Sequence, residues 1–367
     1  MSQLNQREGQ VEFTVGTAFY NRESKLARDL GVLAASVYRR ETGSLRVLDA
    51  MAGCGVRALR YWRESEADWV WANEGNPEVG EIVGLNLQSA IASGCAKVTH
   101  QDANRVFFEC YQHKDYYDLV DVDSFGSPMP YLSTALWATK IGGLLYLTST
   151  DGRTATGHLP QGSLKVYGAF ARAHPAAHEQ GLRLMLGAVQ QCAAQKGLGI
   201  EPVFSLFSGQ IYRVMVRLRA KPALTERNYG FLGYCHGCGE YRVVGWRKLG
   251  REICACCGRA LTLSGPMWLG SLHNRAELEK MQTLAQNPKI LQFLDLFRAE
   301  ADLPPYFYTL GEIGRRGKID VPARSRILEA LRDRGYRATP THINAQALKT
   351  DAPLKTCLEV ARLCSST

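Results

Sequence analysis

Short apolar runs alternate with helical patterns over residues 45–150, and this alternation restricts the fold more than any other feature of the sequence. Apolar residues recur at the spacing of a buried helix face in GVRALRYWRE, PEVGEIVGLNLQSAIAS and MPYLSTALWATK. The runs that we predict as strands are LRVLDA, DWVWANE, KVTHQD, YDLVDVD and GLLYLTST. Strands that alternate with helices favour a parallel sheet that is covered on both faces. The sequence therefore predicts an α/β, Rossmann-like fold.

The predicted sheet closes with two strands that run against each other. HEQGLRLMLGAVQQCAAQKG has the pattern of a long amphipathic helix, and the apolar runs IEPVFSLFS and QIYRVMVRLRA follow it. Ser208 and Gly209 lie at the junction of the two runs, which is typical of a β-hairpin. We therefore expect a mostly parallel sheet with a C-terminal antiparallel hairpin, in a first domain that covers residues 1–222.

The charge and the cysteine content restrict the partners and the compartment. The chain has 367 residues, a net charge of +9 and a pI of about 9.0, which favours an anionic partner such as nucleic acid or a membrane surface. No apolar run reaches the roughly 18 residues that span a bilayer, and the N-terminus lacks a secretory pattern. Most of the eleven cysteines are scattered, which fits a reducing compartment better than disulfides. We expect a cytoplasmic protein without a membrane span.

Acidic residues follow three successive predicted strands. Asp49 ends the first strand, and Gly53 and Gly55 lie in the loop after it; Glu74 and Asp102 end the next two strands. Glycines let the backbone approach a ligand, and Glu74 can accept hydrogen bonds from both hydroxyls of a ribose. A dinucleotide fingerprint would need a third glycine, whereas an acid before the loop suits the zwitterionic end of S-adenosylmethionine. The alternative is that each acid only caps the following helix.

The segment DVDSFGSPMP places two further acids at the end of the fourth strand. Asp121 and Asp123 point to the same face because side chains alternate along a strand. A carboxylate that accepts an N–H of an aryl amine can make that amine nucleophilic and then take its proton. Phe125 can stack on a base, and Gly126 and Pro128 fix the turn. The alternative is a tight strand-to-helix connection with Phe125 in the core.

Segments in the same order along nearly the whole chain resemble the tRNA guanine-N2 dimethyltransferases, which use adenosylmethionine to methylate the amine of a guanine near position 26 of tRNA. They are FYNRESKLARDL, DAMAGCGVRALR, DVDSFGSPMPYL, LTSTDGRTATG, LKVYGAF, HEQGLRLML and GYRATPTHINAQALKTDAP. The family has a proline after its catalytic Asp, and this chain has Ser124, which restricts the backbone less.

The resemblance implies a class I adenosylmethionine-dependent methyltransferase, with Asp123 as the catalytic carboxylate and Phe125 as the stacking aromatic. It implies cofactor contacts from Arg28, Arg57, Glu74, Asp102 and Ala103. From the residues alone, Arg28 can pair with the cofactor carboxylate. A solvated helix charge explains Arg28 equally well, and Arg57 can likewise be a helix-surface residue.

Four cysteines have the spacing of a zinc ribbon. Cys235 and Cys238 form one C-x₂-C pair, and Cys254 and Cys257 form a second pair after fifteen residues. Four thiolates leave no open position on a tetrahedral ion, so we expect a structural Zn²⁺ in a segment that covers residues 223–272. Cys256 is an alternative fourth ligand. One alternative is that the cysteines are free thiols that bind no metal. Another is an iron–sulfur cluster, which fits the ligand type but suits this spacing less well.

The C-terminal region, residues 273–367, combines helices with basic charge. A helical stretch over residues 274–302 precedes two short helices and an extended segment, in the order of a winged helix. Between Arg315 and Arg337 there are eight Arg or Lys and three Asp or Glu residues, and Ile327, Leu328 and Leu331 form the apolar side of one helix. A solvated helix face explains such a run, but the methyl-donor site beside it favours contact with an RNA backbone.

The resemblance implies methylation of guanine N2 in tRNA, at position 26 and with position 27 as a second candidate. Methylation of another RNA base would use the same fold and cofactor. A non-catalytic RNA-binding protein would also share the fold, but the retention of Asp123, Phe125 and Glu74 argues against it. A membrane-surface binder fits least, because no amphipathic segment combines a bulky apolar face with lysines. The sequence does not fix the oligomeric state.

Overall fold

A computed structural model of the chain describes residues 5–250 and 252–365. In chain order its strands are β1 (Asn5–Glu8), β2 (Val11–Thr14), β3 (Arg46–Asp49), β4 (Trp69–Asn73), β5 (Ala96–Thr99), β6 (Tyr117–Val122), β7 (Thr139–Ser149), β8 (Gly199–Ser208), β9 (Ile211–Arg219), β10 (Tyr229–Tyr234), β11 (Tyr241–Val244), β12 (Thr262–Trp268), β13 (Tyr308–Thr309), β14 (Ala338–Pro340) and β15 (Ala347–Thr350).

The α-helices are α1 (Lys25–Thr42), α2 (Val56–Glu64), α3 (Pro77–Asn86), α4 (Gln88–Ala92), α5 (Ala103–Gln112), α6 (Met129–Ala138), α7 (Gly152–Ala155), α8 (Pro160–Tyr167), α9 (Ala177–Gln195), α10 (Arg275–Leu284), α11 (Pro288–Glu300), α12 (Leu310–Gly317), α13 (Arg324–Asp333) and α14 (Leu354–Ser365). Two short 3₁₀ helices cover Arg22–Ser24 and Trp246–Lys248. Among the described helices, none combines the length and the apolar character needed to cross a membrane.

A seven-stranded sheet forms the centre of the molecule, with the strand order β5-β4-β3-β6-β7-β9-β8. Strands β3 to β7 pair in parallel, and β9 pairs antiparallel with both β7 and β8. The five strands predicted from the alternating pattern and the closing hairpin are therefore confirmed. Leu119 and Val120, adjacent on β6, pack into two different hydrophobic cores, so the sheet is buried on both faces as predicted.

Several helical features differ from the sequence prediction, among them α7, α8 and α14, which were not predicted. The helix predicted over residues 77–93 is divided into α3 and α4 at Leu87. The helical stretch after residue 274 is divided because Asn287 caps α11 and Pro288 takes its first position, where a proline cannot continue a preceding helix. The sequence analysis did not predict α5, although Asp102 caps it and Val106, Phe107 and Cys110 form its buried side.

The N-terminal residues form a β1–β2 hairpin that the sequence analysis did not predict. Gly9 lies in its turn with a φ of +58°, and a Cβ there would meet the carboxylate of Glu64. The hairpin places Glu8 in the interior, where its carboxylate pairs with Arg28 and Arg60. It therefore fixes the start of α1 and of α2 beside the glycine loop that follows β3.

The C-terminal region contains two small antiparallel sheets, with the orders β11-β10-β12 and β13-β15-β14. The predicted order of two short helices and an extended segment is present as α12, α13 and β14. This region also covers the outer edge of β8. The backbone N–H groups of Ser205 and Phe207 donate to Nδ1 of His273 and Nε2 of His342, each at 3.4 Å, so histidine side chains terminate the central sheet.

Candidate active site

The strand-end acids lie together at the carboxyl edge of the central sheet. Asp49 ends β3, and its partner in the neighbouring parallel strand is Asp121 of β6. Asp123 follows β6, Glu74 follows β4, and Asp102 begins α5 after β5. In an open α/β sheet, the crevice outside the carboxyl ends of the strands is where ligands bind.

The glycine loop between β3 and α2 is held by Glu74. One carboxylate oxygen of Glu74 accepts the N–H of Gly53 at 2.8 Å, and the other accepts the N–H of Asn76 at 2.9 Å. Gly53 and Gly55 have φ angles of +56° and +81°, in the left-handed region that favours glycine. A Cβ on Gly55 would also lie 3.3 Å from a methyl carbon of Val83. The predicted loop and the predicted carboxylate are therefore in contact.

Asp49 is a buried carboxylate without a hydrogen bond. Its side chain is fully buried, and neither oxygen has a hydrogen-bond partner among the described residues. Its nearest cation is Arg57, whose Nε lies 3.9 Å from Oδ2. Burial, together with the carboxylates of Asp121 and Asp123, raises the pKa of Asp49 to about 7 against the opposing charge of Arg57. A cation bound nearby would stabilise the ionised form.

Asp121 and Asp123 face the same two arginines, which confirms that they point to one side of β6. Asp121 is fully buried and accepts the hydroxyl of Tyr61 at 2.8 Å. The side chain of Asp123 is 28% exposed; its Oδ1 accepts Nη2 of Arg213 at 2.8 Å, and its Oδ2 contacts Nη1 of Arg57. Burial acts to raise the pKa of Asp123, but the charges of Arg213 and Arg57 outweigh it and hold this pKa below its ordinary value. Asp123 is therefore ionised at neutral pH.

Phe125 stands at the entrance to this cluster rather than in the core. Its side chain is 77% exposed, which rules out a buried connection. Phe19, which is 64% exposed, lies edge-on to it with ring centroids 5.1 Å apart. Gly126 has a φ of +73° and exchanges hydrogen bonds with Thr150, so the turn that presents Phe125 is tied to the end of β7.

The other predicted cofactor residues have partners within the protein. Nε and Nη2 of Arg28 donate to the carboxylate of Glu8 at 2.7 and 2.6 Å, so this arginine is buried and paired rather than solvated. Oδ1 of Asp102 accepts the N–H groups of Asn104 and Arg105, as expected for a helix cap, and Ala103 is buried in the first turn of α5. Capping therefore accounts for one oxygen of Asp102.

Four of the cysteines converge in the C-terminal region. The Sγ atoms of Cys235, Cys238, Cys254 and Cys257 all lie within 4.8 Å of one another, whereas Cys256 is exposed and outside this group. The N–H groups of Gly239 and Gly258 donate to the carbonyls of Cys235 and Cys254 at 2.7 and 2.8 Å, and both glycines have positive φ angles. These two turns point the four sulfur atoms at a common centre.

Several arginines of the basic segment make contacts within the protein. Helix α13 buries Ile327, Leu328 and Leu331, as the apolar pattern predicted. Arg316 donates to Glu312 at 2.7 Å and to the carbonyl of Gly237 at 2.9 Å, so it attaches the first cysteine turn to α12. Some charged residues of this segment therefore have a structural role, and others face the solvent.

Two site residues, Arg213 and Phe19, were not identified from the sequence. Arg213 lies in the apolar strand β9, where an arginine within a run of buried residues was the only local signal. Phe19 lies in the segment between β2 and α1, and only its three-dimensional position beside Phe125 distinguishes it from other aromatics.

Comparisons with known proteins agree on one family. Residues 2–362 match the family model described as N2,N2-dimethylguanosine tRNA methyltransferase. The chain is 31% identical to the tRNA (guanine(26)-N(2))-dimethyltransferase of Archaeoglobus fulgidus, over 97% of each chain, and 30% identical to that of Aeropyrum pernix, over 98% of this chain and 92% of the relative. Trm1 from Pyrococcus horikoshii, solved with S-adenosyl-L-methionine, aligns with a TM-score of 0.84 and 28% identity over 97% of this chain and 99% of that one.

Proposed function

Because the chain belongs to the family of N2,N2-dimethylguanosine tRNA methyltransferases, we propose that it methylates the exocyclic N2 amine of guanine in tRNA, using S-adenosylmethionine. The target is guanine 26, the position that the names of its relatives carry, and position 27 is a second candidate. The products are N2-methylguanosine and N2,N2-dimethylguanosine.

The observation that carries this proposal is the position of Asp123. It is a partly exposed carboxylate at the end of a central strand, two residues before an aromatic ring that is 77% exposed. The paired acids Asp49 and Asp121 are fully buried behind it. A flat base that rests on Phe125 can therefore bring an amine to Asp123 but not to Asp49 or Asp121.

The residues around the glycine loop fit adenosylmethionine. Asp49 offers two unpaired oxygens in a buried position, which suits the positive charges of a sulfonium and an ammonium group. Gly53, Gly55 and Ala103 are the proposed backbone contacts of the cofactor, and Glu74 and Asp102 supply carboxylates beside them. Arg28 and Arg57 are the proposed partners of its carboxylate. When bound, this cofactor supplies a methyl group on a sulfur that leaves with the electrons of the broken bond.

Asp123 performs the proton transfer in this proposal. Its Oδ2 accepts a hydrogen bond from an N2–H of guanine, which localises the nitrogen lone pair, and takes the proton as the nitrogen–carbon bond forms. Positioned proton transfer of this kind contributes about 10²–10⁴-fold to a rate. The 28% exposure of the Asp123 side chain lets the proton pass to water, so that the carboxylate is ready for the second N–H.

Phe125 and Phe19 hold the base in this proposal. Both rings are more than half exposed and lie within 5.1 Å of each other, at the open side of the acidic cluster. Stacking on an aromatic ring contributes about 1–3 kcal/mol per base. The rings now meet edge to face, at 71°, so one of them must turn for a base to enter between them.

The experiment that tests this function maps the product on tRNA. Unmodified tRNA transcripts are incubated with labelled adenosylmethionine, and the methylated nucleoside is identified and located. We expect N2-methylated guanosine at position 26, and a loss of at least about 10²-fold in rate for Asp123→Asn because the proton acceptor is removed. Calorimetry with S-adenosylhomocysteine should show retained binding in that variant.

Glu226→Gln is the control, because Glu226 lies between β9 and β10, outside the residues assigned to the cofactor, the base and tRNA, with a side chain that is 61% exposed. Its rate should equal that of the unchanged protein. A methyl group on another atom, or an undiminished rate in Asp123→Asn, would contradict the proposal. Failure of the unchanged protein to bind S-adenosylhomocysteine would favour a non-catalytic RNA-binding protein instead.

We further propose that Cys235, Cys238, Cys254 and Cys257 bind a structural Zn²⁺. The four sulfur atoms already converge, and four thiolates satisfy the tetrahedral preference of this ion without leaving a position for substrate. Because the first cysteine turn is attached to α12 through Arg316, the ion would stabilise the fold of the C-terminal region.

Zinc content and stability test this site. We expect elemental analysis to find stoichiometric zinc in the unchanged protein and to find it lost in Cys235→Ser. The unfolding transition of this variant should fall to a lower temperature. Cys256→Ser is the control, since Cys256 neighbours a ligand but lies outside the group, and it should keep one zinc per chain. Equal zinc content in the two variants would contradict the assignment.

The remaining sequence predictions belong to the same proposal. Residues 1–222 would form the catalytic domain, 223–272 the zinc ribbon and 273–367 the winged-helix-like region that contacts tRNA. The net charge of +9 supports contact with an RNA backbone. A cytoplasmic location is consistent with a tRNA substrate.

A further inference from the structure

The two arginines that contact Asp123 do so in different ways. Nη2 of Arg213 donates a hydrogen bond of 2.8 Å to Oδ1. Nη1 of Arg57 lies against Oδ2, but neither Nη1 nor Nε of Arg57 makes a hydrogen bond with good geometry to any described residue. One oxygen of Asp123 is thus held by a directional bond, and the other by a contact of charge alone.

The surroundings of the two arginines also differ. Arg213 lies within β9, where its backbone pairs with Thr148 of β7 and Leu206 of β8, and its guanidinium stacks 4.9 Å from the ring of Tyr146. Its side chain is 1% exposed. Nε and Nη1 of Arg213 also lack a hydrogen-bond partner among the described residues, but the two strands and the aromatic ring around it restrict its movement.

Arg57, in contrast, lies in the first turn of α2, directly after the glycine loop. Its Nε is 3.6 Å from Asp121 and 3.9 Å from Asp49, distances too long for good hydrogen bonds. The guanidinium is shared among three carboxylates and bonded to none. A carboxylate that enters at the N-terminus of α2 would offer it a bidentate partner, in a place where the helix dipole also favours an anion.

A carboxylate held by two guanidinium groups is poorly suited to the reaction. Positive charges next to Asp123 stabilise its ionised form and so weaken it as a base. Oδ2, which faces Arg57, would also be blocked as an acceptor for the amine. Loss of one arginine contact would restore the basicity of the Asp123 carboxylate. Retention of the other contact would preserve the orientation of this carboxylate.

We propose that Arg213 is a positioning residue that holds Oδ1 of Asp123 throughout the reaction, whereas Arg57 is an exchangeable partner that leaves Oδ2 when the carboxylate of the cofactor binds. This inference rests on the proposed function and deepens it. It makes the catalytic carboxylate available only in the cofactor-bound protein, so productive binding of tRNA follows binding of the cofactor.

The test uses S-adenosylhomocysteine, which carries the same carboxylate as the methyl donor but no sulfonium charge. Carbon-13 NMR of aspartate-labelled protein, with the Asp123 signal assigned by its loss in Asp123→Asn, follows the titration of this side chain. We expect its pKa to rise by about one unit or more when S-adenosylhomocysteine binds, because one neighbouring cation is removed. In Arg57→Gln the pKa should already be raised without the ligand and should not rise further.

The role of Arg213 is tested separately from its role in the fold. Arg213→Gln should keep the Kd for S-adenosylhomocysteine within about threefold, lower kcat by about 10²-fold, and move the acidic limb of the pH–rate profile to higher pH. If this variant does not fold, Arg213→Lys carries the test. Lysine retains the positive charge but lacks the planar pair of guanidinium donors. We therefore expect kcat to fall while the acidic limb of the pH–rate profile stays in place.

The outcomes separate the inference from the function on which it rests. An Asp123 pKa that does not change when S-adenosylhomocysteine binds would overturn the exchange of Arg57. An Arg213→Gln variant with full kcat and an unmoved pH profile would overturn the positioning role. Failure of S-adenosylhomocysteine to bind the unchanged protein would instead overturn the proposed function itself.

Discussion

The buried charges at the carboxyl edge of the sheet are paired differently from those at the junction between α9 and the C-terminal region. We call the first group the edge cluster (Asp49, Asp121, Asp123, Arg57 and Arg213) and the second the junction cluster (Glu179, Arg183, Glu300, His342 and Lys349). In the edge cluster, neither oxygen of Asp49 has a hydrogen bond among the described residues, and Arg57 bonds no carboxylate with good geometry.

The junction cluster pairs its cations within the protein, although Oε2 of Glu179 has no hydrogen-bond partner among the described residues. Oε1 of Glu179 accepts Nε and Nη2 of Arg183, at 3.0 and 2.8 Å, as well as Nζ of Lys349. Arg183 also donates to the carbonyls of Trp268 and Gly270. Glu300 accepts the backbone N–H and Nδ1 of His342, at 2.7 and 3.0 Å.

This difference in hydrogen bonding distinguishes buried charges that stabilise the fold from buried charges that bind a ligand. Buried polar groups in proteins are nearly always hydrogen-bonded, so a cluster that leaves several unpaired calls for an explanation. In the junction cluster, which connects the central sheet to the C-terminal region, Arg183 and Lys349 both bond to one carboxylate. The edge cluster has unused bonding capacity that suits a charged ligand, and this asymmetry is open to experiment.

The largest expected effect comes from removing the anion of the junction cluster. Glu179→Gln leaves Arg183 and Lys349 as buried cations without their common partner, and breaking such a pair costs about 3–5 kcal/mol of unfolding free energy. Urea unfolding followed by tryptophan fluorescence measures the loss. Glu226→Gln is the control, because the Glu226–Arg247 pair is exposed and an exposed pair contributes about 0–1 kcal/mol. Equal losses in the two variants would show that the junction cluster is not structural.

Removing an anion from the edge cluster should raise the stability of the protein rather than lower it. Because burial raises the pKa of Asp49 from its ordinary 3.8 to about 7, the folded protein binds this proton more tightly than the unfolded chain does. The contribution of Asp49 to stability is then complete below about pH 3.8 and is lost progressively as the pH rises from there to about 7. We expect the ligand-free Asp49→Asn variant to come closest to the unchanged protein at pH 4 and to exceed its unfolding temperature by an increasing margin up to pH 8.

Asp118→Asn provides the contrast for this measurement. Asp118 is also nearly buried, on β6, but it accepts hydrogen bonds from Tyr38, Lys140 and the N–H of Arg46. Its replacement should lower the unfolding temperature at both pH values. If Asp49→Asn behaves like Asp118→Asn, Asp49 has a structural partner and the interpretation of the edge cluster is wrong.

The parts of this site that were predictable from the sequence are those with a local signature. Strand-end acids, glycines in the following loop and paired C-x₂-C turns each occupy a few consecutive residues, and a parallel sheet brings strand ends to one edge by construction. The sequence alone therefore predicts that four residues lie together, namely Asp49, Gly53, Glu74 and Asp123. The same reasoning placed the four cysteines around a common point.

The unpredicted parts depend on contacts between distant segments. Arg213 meets Asp123 across 90 residues of chain, and Glu8 meets Arg28 only because the β1–β2 hairpin folds over α1. In a linear sequence such charges are expected at the surface, since arginine and glutamate are seldom fully buried without a partner. Nothing in the local pattern of β9 indicates that partner, so the pairing state of Asp123 could not be derived from the sequence.

The smallest expected effect tests whether the two clusters act independently. At a concentration of 100 times its Kd, S-adenosylhomocysteine should stabilise the unchanged protein by about 2.7 kcal/mol. Glu179→Gln should gain the same increment within about 0.5 kcal/mol, because the clusters share no hydrogen-bond partner. Asp49→Asn should gain less at the same ligand concentration, since its edge cluster has lost the charge that faces the cofactor. Ligand-dependent shifts of the urea midpoint measure all three, and an increment in Glu179→Gln that differs by more than about 1 kcal/mol would mean that the junction cluster also controls cofactor binding.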